Sequence, residues 1–231
     1  MRVFKWLVAL PFAVFILFNA YVYGSIITYR AVAPNQTAFM RMRIQSFSEQ
    51  GKDIALDYRW VPYHQISVNL KKALIASEDA RFAAHSGFDW DGIRHAFERN
   101  QRSGKIRGGG STISQQLAKN LFLNESRSYW RKAEEAAITA MMEATTDKDR
   151  IFELYLNSIE WGYGIFGAEA ASQHFYKKPV VKLTKQQAAQ LAARVPRPLY
   201  YVEHPRDKSL RARTNIILKR MGSATLPDTG E

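Results

Sequence analysis

From Trp6 to Ile27 no charged residue interrupts a run of apolar and neutral side chains, and Arg2 and Lys5 stand just before it. At 1.5 Å rise per residue, about 20 such residues cross a hydrocarbon core. The pattern therefore predicts one transmembrane helix over 6–28. Pro11 and Gly24 are tolerated in membrane helices, and Tyr21, Tyr23 and Tyr29 fall where an aromatic belt meets the far interface. Ala31-Val32-Ala33 resembles a signal-peptide cleavage site. The apolar run is longer than the roughly 7–15 residues of a signal h-region, however, and Pro34 follows at once. The reading is a retained anchor.

Beyond the anchor the period changes from continuous to helical. Residues 29–48 read as a juxtamembrane linker holding a short basic helix, and 49–222 as the folded domain, with a tail over 223–231. Ile54-Ala55-Leu56 suggests a short extended piece. Leu70, Ala73 and Leu74 share one face of a helix leading into Ser77-Glu78-Asp79, and Asp91 is placed to cap the next helix through Ile93, Ala96 and Phe97. Residues 99–110 are basic, rich in glycine and aperiodic, which predicts a loop. Thr112 with Gln115, and Thr184 with Gln187, have capping-box spacing. Helices are predicted from Tyr129 to Thr145, from Asp147 through Tyr155, up to Phe175 after Gly162, Gly164 and Gly167, and from about Asp207 to Met221. The fold class is mainly α.

Composition narrows the partners. Thirty-three Lys and Arg against 21 Asp and Glu give a formal charge of +12 over 231 residues. That excess favours a polyanionic partner: nucleic acid, an acidic membrane surface or a phosphorylated ligand. With no cysteine, disulfides and Cys-based zinc sites are excluded. The five histidines show no i,i+4 pair, so no helical His₂ metal site is present. Gly108-Gly109-Gly110 is not followed by Lys-[Ser/Thr], so no nucleotide-phosphate loop is supported. No Ser-x-x-Lys occurs, so a penicillin-sensitive transpeptidase nucleophile is absent.

Three clusters remain. Taken singly, Ser77-Glu78-Asp79 is a solvated helix end, Gly109-Gly110-Ser111-Thr112 a turn into a helix, and Arg131-Lys132-Ala133-Glu134-Glu135 a surface ion pair. Taken in order they form part of a longer pattern. Glu78-Asp79-Ala80-Arg81-Phe82-Ala83-Ala84-His85-Ser86-Gly87-Phe88 is followed by Gly109-Gly110-Ser111-Thr112-Ile113-Ser114-Gln115-Gln116-Leu117-Ala118-Lys119-Asn120. Next come Arg131 to Glu135 with Glu143, then Asp149-Arg150-Ile151-Phe152-Glu153-Leu154-Tyr155-Leu156-Asn157, then Gly164 to Ala171 leading to Phe175-Tyr176-Lys177-Lys178.

These five blocks, from about Tyr63 to Pro198, resemble the family 51 glycosyltransferases. Lys177 stands where that family usually has Gly, and Thr139 where Ala is common. The resemblance implies a lysozyme-like, two-lobed glycosyltransferase domain preceded by the single transmembrane helix. It implies polymerisation of lipid II into β-1,4-linked glycan, with release of undecaprenyl pyrophosphate and inversion at the anomeric carbon. By motif position Glu78 is the general base, with the negative charge of Asp79 beside it, and Glu135 is the second catalytic carboxylate. Ser111, Thr112, Gln115, Gln116, Lys119, Asn120, Arg131 and Lys132 are the substrate-binding residues, the cations meeting the pyrophosphate. Free backbone N–H groups at Gly110-Ser111-Thr112 are expected to meet an anionic or polar substituent.

No protein-ligated metal or other cofactor is implied; a divalent cation, Mg or Mn, has room only as a bridge on the substrate pyrophosphate. The implied partners are lipid II, the growing glycan chain, the membrane and other cell-wall synthesis or division proteins, with no nucleic acid. The implied location is the cytoplasmic (inner) membrane: residues 1–5 inside, the catalytic domain on the periplasmic side. A peptidoglycan-cleaving enzyme is the nearest rival, and a non-catalytic scaffold of the wall machinery the next.

Overall fold

The structure, a computed structural model, describes residues 2–104, 110–126 and 128–228. Its first helix, α1 (Arg2–Tyr29), contains the one stretch among the described residues long and apolar enough to cross a membrane, Phe12–Tyr29. One face of α1 is exposed at Phe12, Phe15, Ile16 and Tyr23, whereas Val22 and Ile26 are buried against the rest of the protein. The end of the anchor is held as well as packed: Arg150 donates from Nε to Tyr29 O at 2.8 Å and from Nη2 to Val32 O at 3.1 Å.

The segment read as a linker includes α2 (Ala38–Glu49), N-capped by Thr37 and buried at Phe39, Met40 and Phe47. Arg43 of α2 forks onto the buried Glu160 at 2.9 Å and reaches Glu125. The basic helix is thus seated on the domain and not free between it and the membrane.

Three short strands follow the order β1-β3-β2: β1 (Asp57–Tyr58) runs parallel to β3 (Ile165–Phe166), which turns antiparallel from β2 (Glu160–Gly162). The extended piece expected at Ile54–Leu56 falls slightly later, at Asp57, whose N–H donates to Gly164 O at 2.8 Å. Gly164 has φ +70°, and a Cβ there would stand 2.3 Å from Ala55 O, so only glycine makes this turn.

The body is helical: α3 (Val68–Glu78), α4 (Trp90–Ser103), α5 (Ile113–Phe122), α6 (Tyr129–Thr145), α7 (Lys148–Ser158), α8 (Ala168–Tyr176), α9 (Lys185–Arg194), α10 (Pro198–Glu203) and α11 (Lys208–Arg220). Buried alanines at 188, 189, 192 and 193 let α9 lie closely against α3, which contributes Leu70, Ala73 and Leu74. On the other side α5 packs between α6 and α7, with Leu117, Ile138, Phe152 and Tyr155 in one continuous core. Both capping boxes form, at Thr112/Gln115 and Thr184/Gln187. At α4, Asp89 and not Asp91 is the cap, accepting from Gly92 N at 3.0 Å. Asp91, in the first turn, pairs with Arg81 at 2.6 Å instead. The loop expected over 99–110 is helical as far as Ser103, because its basic residues are good helix formers and Gly104 supplies the left-handed C-cap. Residues 105–109 of that loop lie outside the described residues.

Lys177, the departure from the family's usual glycine, caps α8 at φ 54°. A side chain in the left-handed region costs roughly 1 kcal/mol. Lys177→Gly should therefore stabilise the protein by about 0.5–1 kcal/mol, raising Tm by about 1–4 °C; a lower Tm in a thermal scan would contradict this. Thr139, the other departure, is fully buried and satisfies its hydroxyl on Glu135 O at 2.7 Å, so the extra polar atom is accommodated.

Candidate active site

The site begins where α3 ends. Asp79 leaves helical geometry at φ −160°, so Glu78 is the last helical residue and its side chain turns into an open cavity. The Glu78 carboxylate is held at both oxygens: Ser77 Oγ donates to Oε1 at 2.6 Å, and Gln116 Nε2 donates to Oε2 at 3.3 Å. A guanidinium nitrogen of Arg213 on α11 stands 3.9 Å from Oε1.

Asp79 does not share this environment. Its buried carboxylate accepts from the Ile113 backbone N–H at 3.0 Å and pairs with His85 Nε2 at 3.0 Å. A negative charge at the start of α5 is favourable for the helix dipole, so Asp79 serves as the lock between the first two sequence blocks. Thr112 adds a second lock, donating its hydroxyl to Gly87 O at 2.6 Å. Of the amides expected to be free at Gly110-Ser111-Thr112, that of Thr112 is taken, as are two amides that follow it. Thr112 N–H is taken by Gln115 Oε1, Ile113 N–H by Asp79 and Gln115 N–H by Thr112 Oγ1.

A cavity of about 300 Å³ is lined by Glu78, Ser111, Gln115, Gln116, Lys119, Glu135, Val195 and Pro196. Helical spacing puts Gln115, Gln116 and Lys119 on one side of α5. Opposite, α6 presents the buried Glu135, which pairs with Arg131 at 2.7 Å one turn earlier and with Lys132. Lys132 also approaches Ser111 Oγ at 3.5 Å. Burial pushes the Lys119 ammonium below its usual range, against the opposing pull of Glu135 and then Glu125. Its Nζ stands 5.6 Å from the Phe39 ring of α2.

Four expected residues lie off the cavity wall: Thr112 is committed to capping, Asn120 is buried on α5, and Arg131 and Lys132 stand behind Glu135, each paired with it. Arg131 lines a neighbouring groove of about 530 Å³ with Phe18, Met42, Phe122 and Trp130, and its Nε donates to Ser126 O at 2.5 Å. It therefore stands between Glu135, which lines the polar cavity, and a groove whose wall includes Phe18 of the membrane helix.

The sequence model of the transglycosylase family matches residues 45–222. Over 228 residues the chain is 74% identical to a biosynthetic peptidoglycan transglycosylase of Neisseria meningitidis serogroup C (strain 053442), covering 99% of this chain and 98% of that one. The same coverage holds at 72% identity for the protein of that name from Neisseria gonorrhoeae. The chain belongs to the transglycosylase family. As a transglycosylase it has the lysozyme-like helical domain of that family, and the five sequence blocks all fall within the matched span.

The sequence left three transglycosylase site residues without a role. Ser77 was visible only as part of the Ser-Glu-Asp string, Tyr155 as a helix-face aromatic, and Arg213 as one of several charges on a basic helix. Ser77 meets Glu78 as its chain neighbour at the end of α3; Tyr155, through Gln116, and Arg213 come to Glu78 only by the packing of α3, α5, α7 and α11, which no local pattern marks.

Proposed function

We propose that this transglycosylase polymerises lipid II into β-1,4-linked glycan strands and releases undecaprenyl pyrophosphate. The observation that carries the reading is one cavity lined by a hydrogen-bonded carboxylate, Glu78, by the cation Lys119 and by Glu135, whose carboxylate holds two further cations, Arg131 and Lys132, beside it. It is an enzyme, a peptidoglycan glycosyltransferase. A sugar hydroxyl is a poor nucleophile and needs a positioned base. Glu78 takes the proton of the GlcNAc 4-hydroxyl as that oxygen bonds to C1 of the MurNAc at the lipid-linked end of the growing strand. The C1–O bond to the pyrophosphate breaks on the opposite face, and the anomeric centre inverts. Charge grows on the departing oxygen, where preorganised cations act most strongly. Glu135 orients Arg131 and Lys132 for that role, and Arg131 offers the two-pronged donor that suits phosphate.

Glu135 pairs with Arg131 and Lys132, and Glu78 accepts from Ser77 and Gln116. In this reading a Mg or Mn ion would be held by the substrate pyrophosphate and would offset its charge there. Gln115, Gln116 and Ser111 supply neutral hydrogen bonds to sugar hydroxyls and amides.

The same reading places α1 as a single pass in the cytoplasmic membrane, with residues 1–5 inside and the catalytic domain on the periplasmic face, where the exposed side of α1 meets lipid and other cell-wall synthesis or division proteins. Because the chain has no cysteine, a single Lys219→Cys variant in intact spheroplasts reports the topology cleanly. Labelling by a membrane-impermeant maleimide supports the outward orientation, and protection until lysis refutes it. Activity is tested by giving purified protein labelled lipid II and, separately, finished sacculi. Polymer from lipid II with intact sacculi is expected; solubilised sacculi with unconsumed lipid II would identify a lytic enzyme.

A further inference from the structure

Behind Glu78 stands a residue that the reaction as described does not use. Tyr155, on α7, is fully buried, its ring stacked on Phe152 at 6.3 Å between centroids. Its hydroxyl donates to Gln116 Oε1 at 3.0 Å, and the other end of the same amide donates from Nε2 to Glu78 Oε2 at 3.3 Å. We propose that Tyr155 is a positioning residue for the catalytic base, acting through Gln116 by fixing which end of that amide faces Glu78.

Donors and acceptors decide which way this amide faces. A side-chain amide carries a carbonyl acceptor at one end and an NH₂ donor at the other, with similar shapes. The cavity alone does not choose between them. A phenol can accept as well as donate, whereas an ionised Glu78 only accepts; the pairing that suits both has the phenol donating to Oε1 and the NH₂ aimed at Glu78, and the phenol's donation holds the amide in that sense. Burial, with Glu78 and then Asp79 adding to it, pushes the Tyr155 phenol well above its usual range, so it remains a donor wherever the enzyme works. A flipped amide would set a carbonyl oxygen against a carboxylate oxygen, which disfavours the ionised base and favours a protonated acid that can no longer accept a proton. The relay thus ties the charge state and direction of Glu78 to a hydroxyl in the core.

The other groups facing Glu78 are accounted for. From α11, Arg213 stands 3.9 Å away at Oε1 and not at Oε2. From α3 itself, Ser77 holds Oε1, and Asp79 is turned to Ile113 and His85. Across the cavity, Lys119 and Glu135 share its wall. Gln116 is the group that holds Oε2.

The proposal rests on the lipid II reading, and the experiment separates the two. Full-length wild type, Tyr155→Phe, Gln116→Ala and the double variant are compared on lipid II across pH. Phe keeps the ring and its packing, so fold loss is not expected, and thermal unfolding checks it. Tyr155→Phe should lower kcat by about tenfold on the acid side, with KM within about twofold, and move the acid limb of the profile upward by about half a unit to one unit. In the Gln116→Ala background the same change should have no further effect on the profile, since the two act as one unit. A Tyr155→Phe profile that superimposes on wild type, or an equal loss in both backgrounds, overturns the relay. A wild type that leaves lipid II unpolymerised defeats the function reading itself.

Discussion

Glu78→Gln is expected to lower the rate of strand formation by about 10²–10⁴-fold while lipid II still binds. The size is that of a lost general base. Gln preserves the length and planarity of the side chain and can still accept from Ser77, which donates at 2.6 Å in the wild type, so the cavity keeps its shape. It cannot take the proton of the attacking hydroxyl. The loss should therefore appear in kcat, with KM within about threefold, because an interaction made only in the transition state has been removed. Single-turnover kinetics with labelled lipid II measures both. Strand synthesis by Glu78→Gln at near the wild-type rate would remove the base assignment.

The second large effect is at Lys119. Lys119→Met should cut kcat/KM by about 10²–10³-fold, the scale of removing one preorganised group from a developing charge. The site holds this ammonium partly desolvated, beside Phe39 and within reach of Glu135. A cation with little water to shed meets the pyrophosphate at low local dielectric, where its field is strongest. The same burial gives a pH signature. The folded pKa lies below the ordinary lysine value, so rising pH neutralises Lys119 earlier than an exposed lysine, and activity should fall on that alkaline limb. Lys119→Arg keeps its charge across this range. It should retain part of the activity and carry the limb to higher pH; an alkaline limb unmoved in Lys119→Arg would show that Lys119 does not set it.

Local signals in the sequence survived folding where chain neighbours decide them. The bounds of α6, both capping boxes and the long apolar helix depend on spacing and composition within a few residues, and these are read directly. The glycine usually found at position 177 also announced its own geometry, since Lys177 occupies the left-handed region there. What escaped depends on distant partners. Asp91 has the look of a cap, but Arg81 claims it and Asp89 does the capping. Asp79 stands next to Glu78 in the chain, but α5 turns it away from the base. Thr112 belongs to a block expected to bind substrate, yet its hydroxyl is consumed on Gly87 O. The basic segment before the domain reads as a linker until Arg43 meets Glu160, 117 residues later in the chain. The cavity was legible in large part, because the five blocks supply all of its wall except Val195 and Pro196; Tyr155 and Arg213 behind it were not, because only packing brings those residues toward Glu78.

The chemistry stands or falls on where one proton and one diphosphate sit relative to α3, α5 and α6. A crystal structure of full-length Glu78→Gln with lipid II bound would locate both. The account predicts the acceptor 4-hydroxyl within about 3.2 Å of the side chain at position 78, and the donor pyrophosphate against Lys119, Arg131 and Lys132. A hydroxyl directed away from position 78, or a pyrophosphate bound clear of those cations, would contradict it.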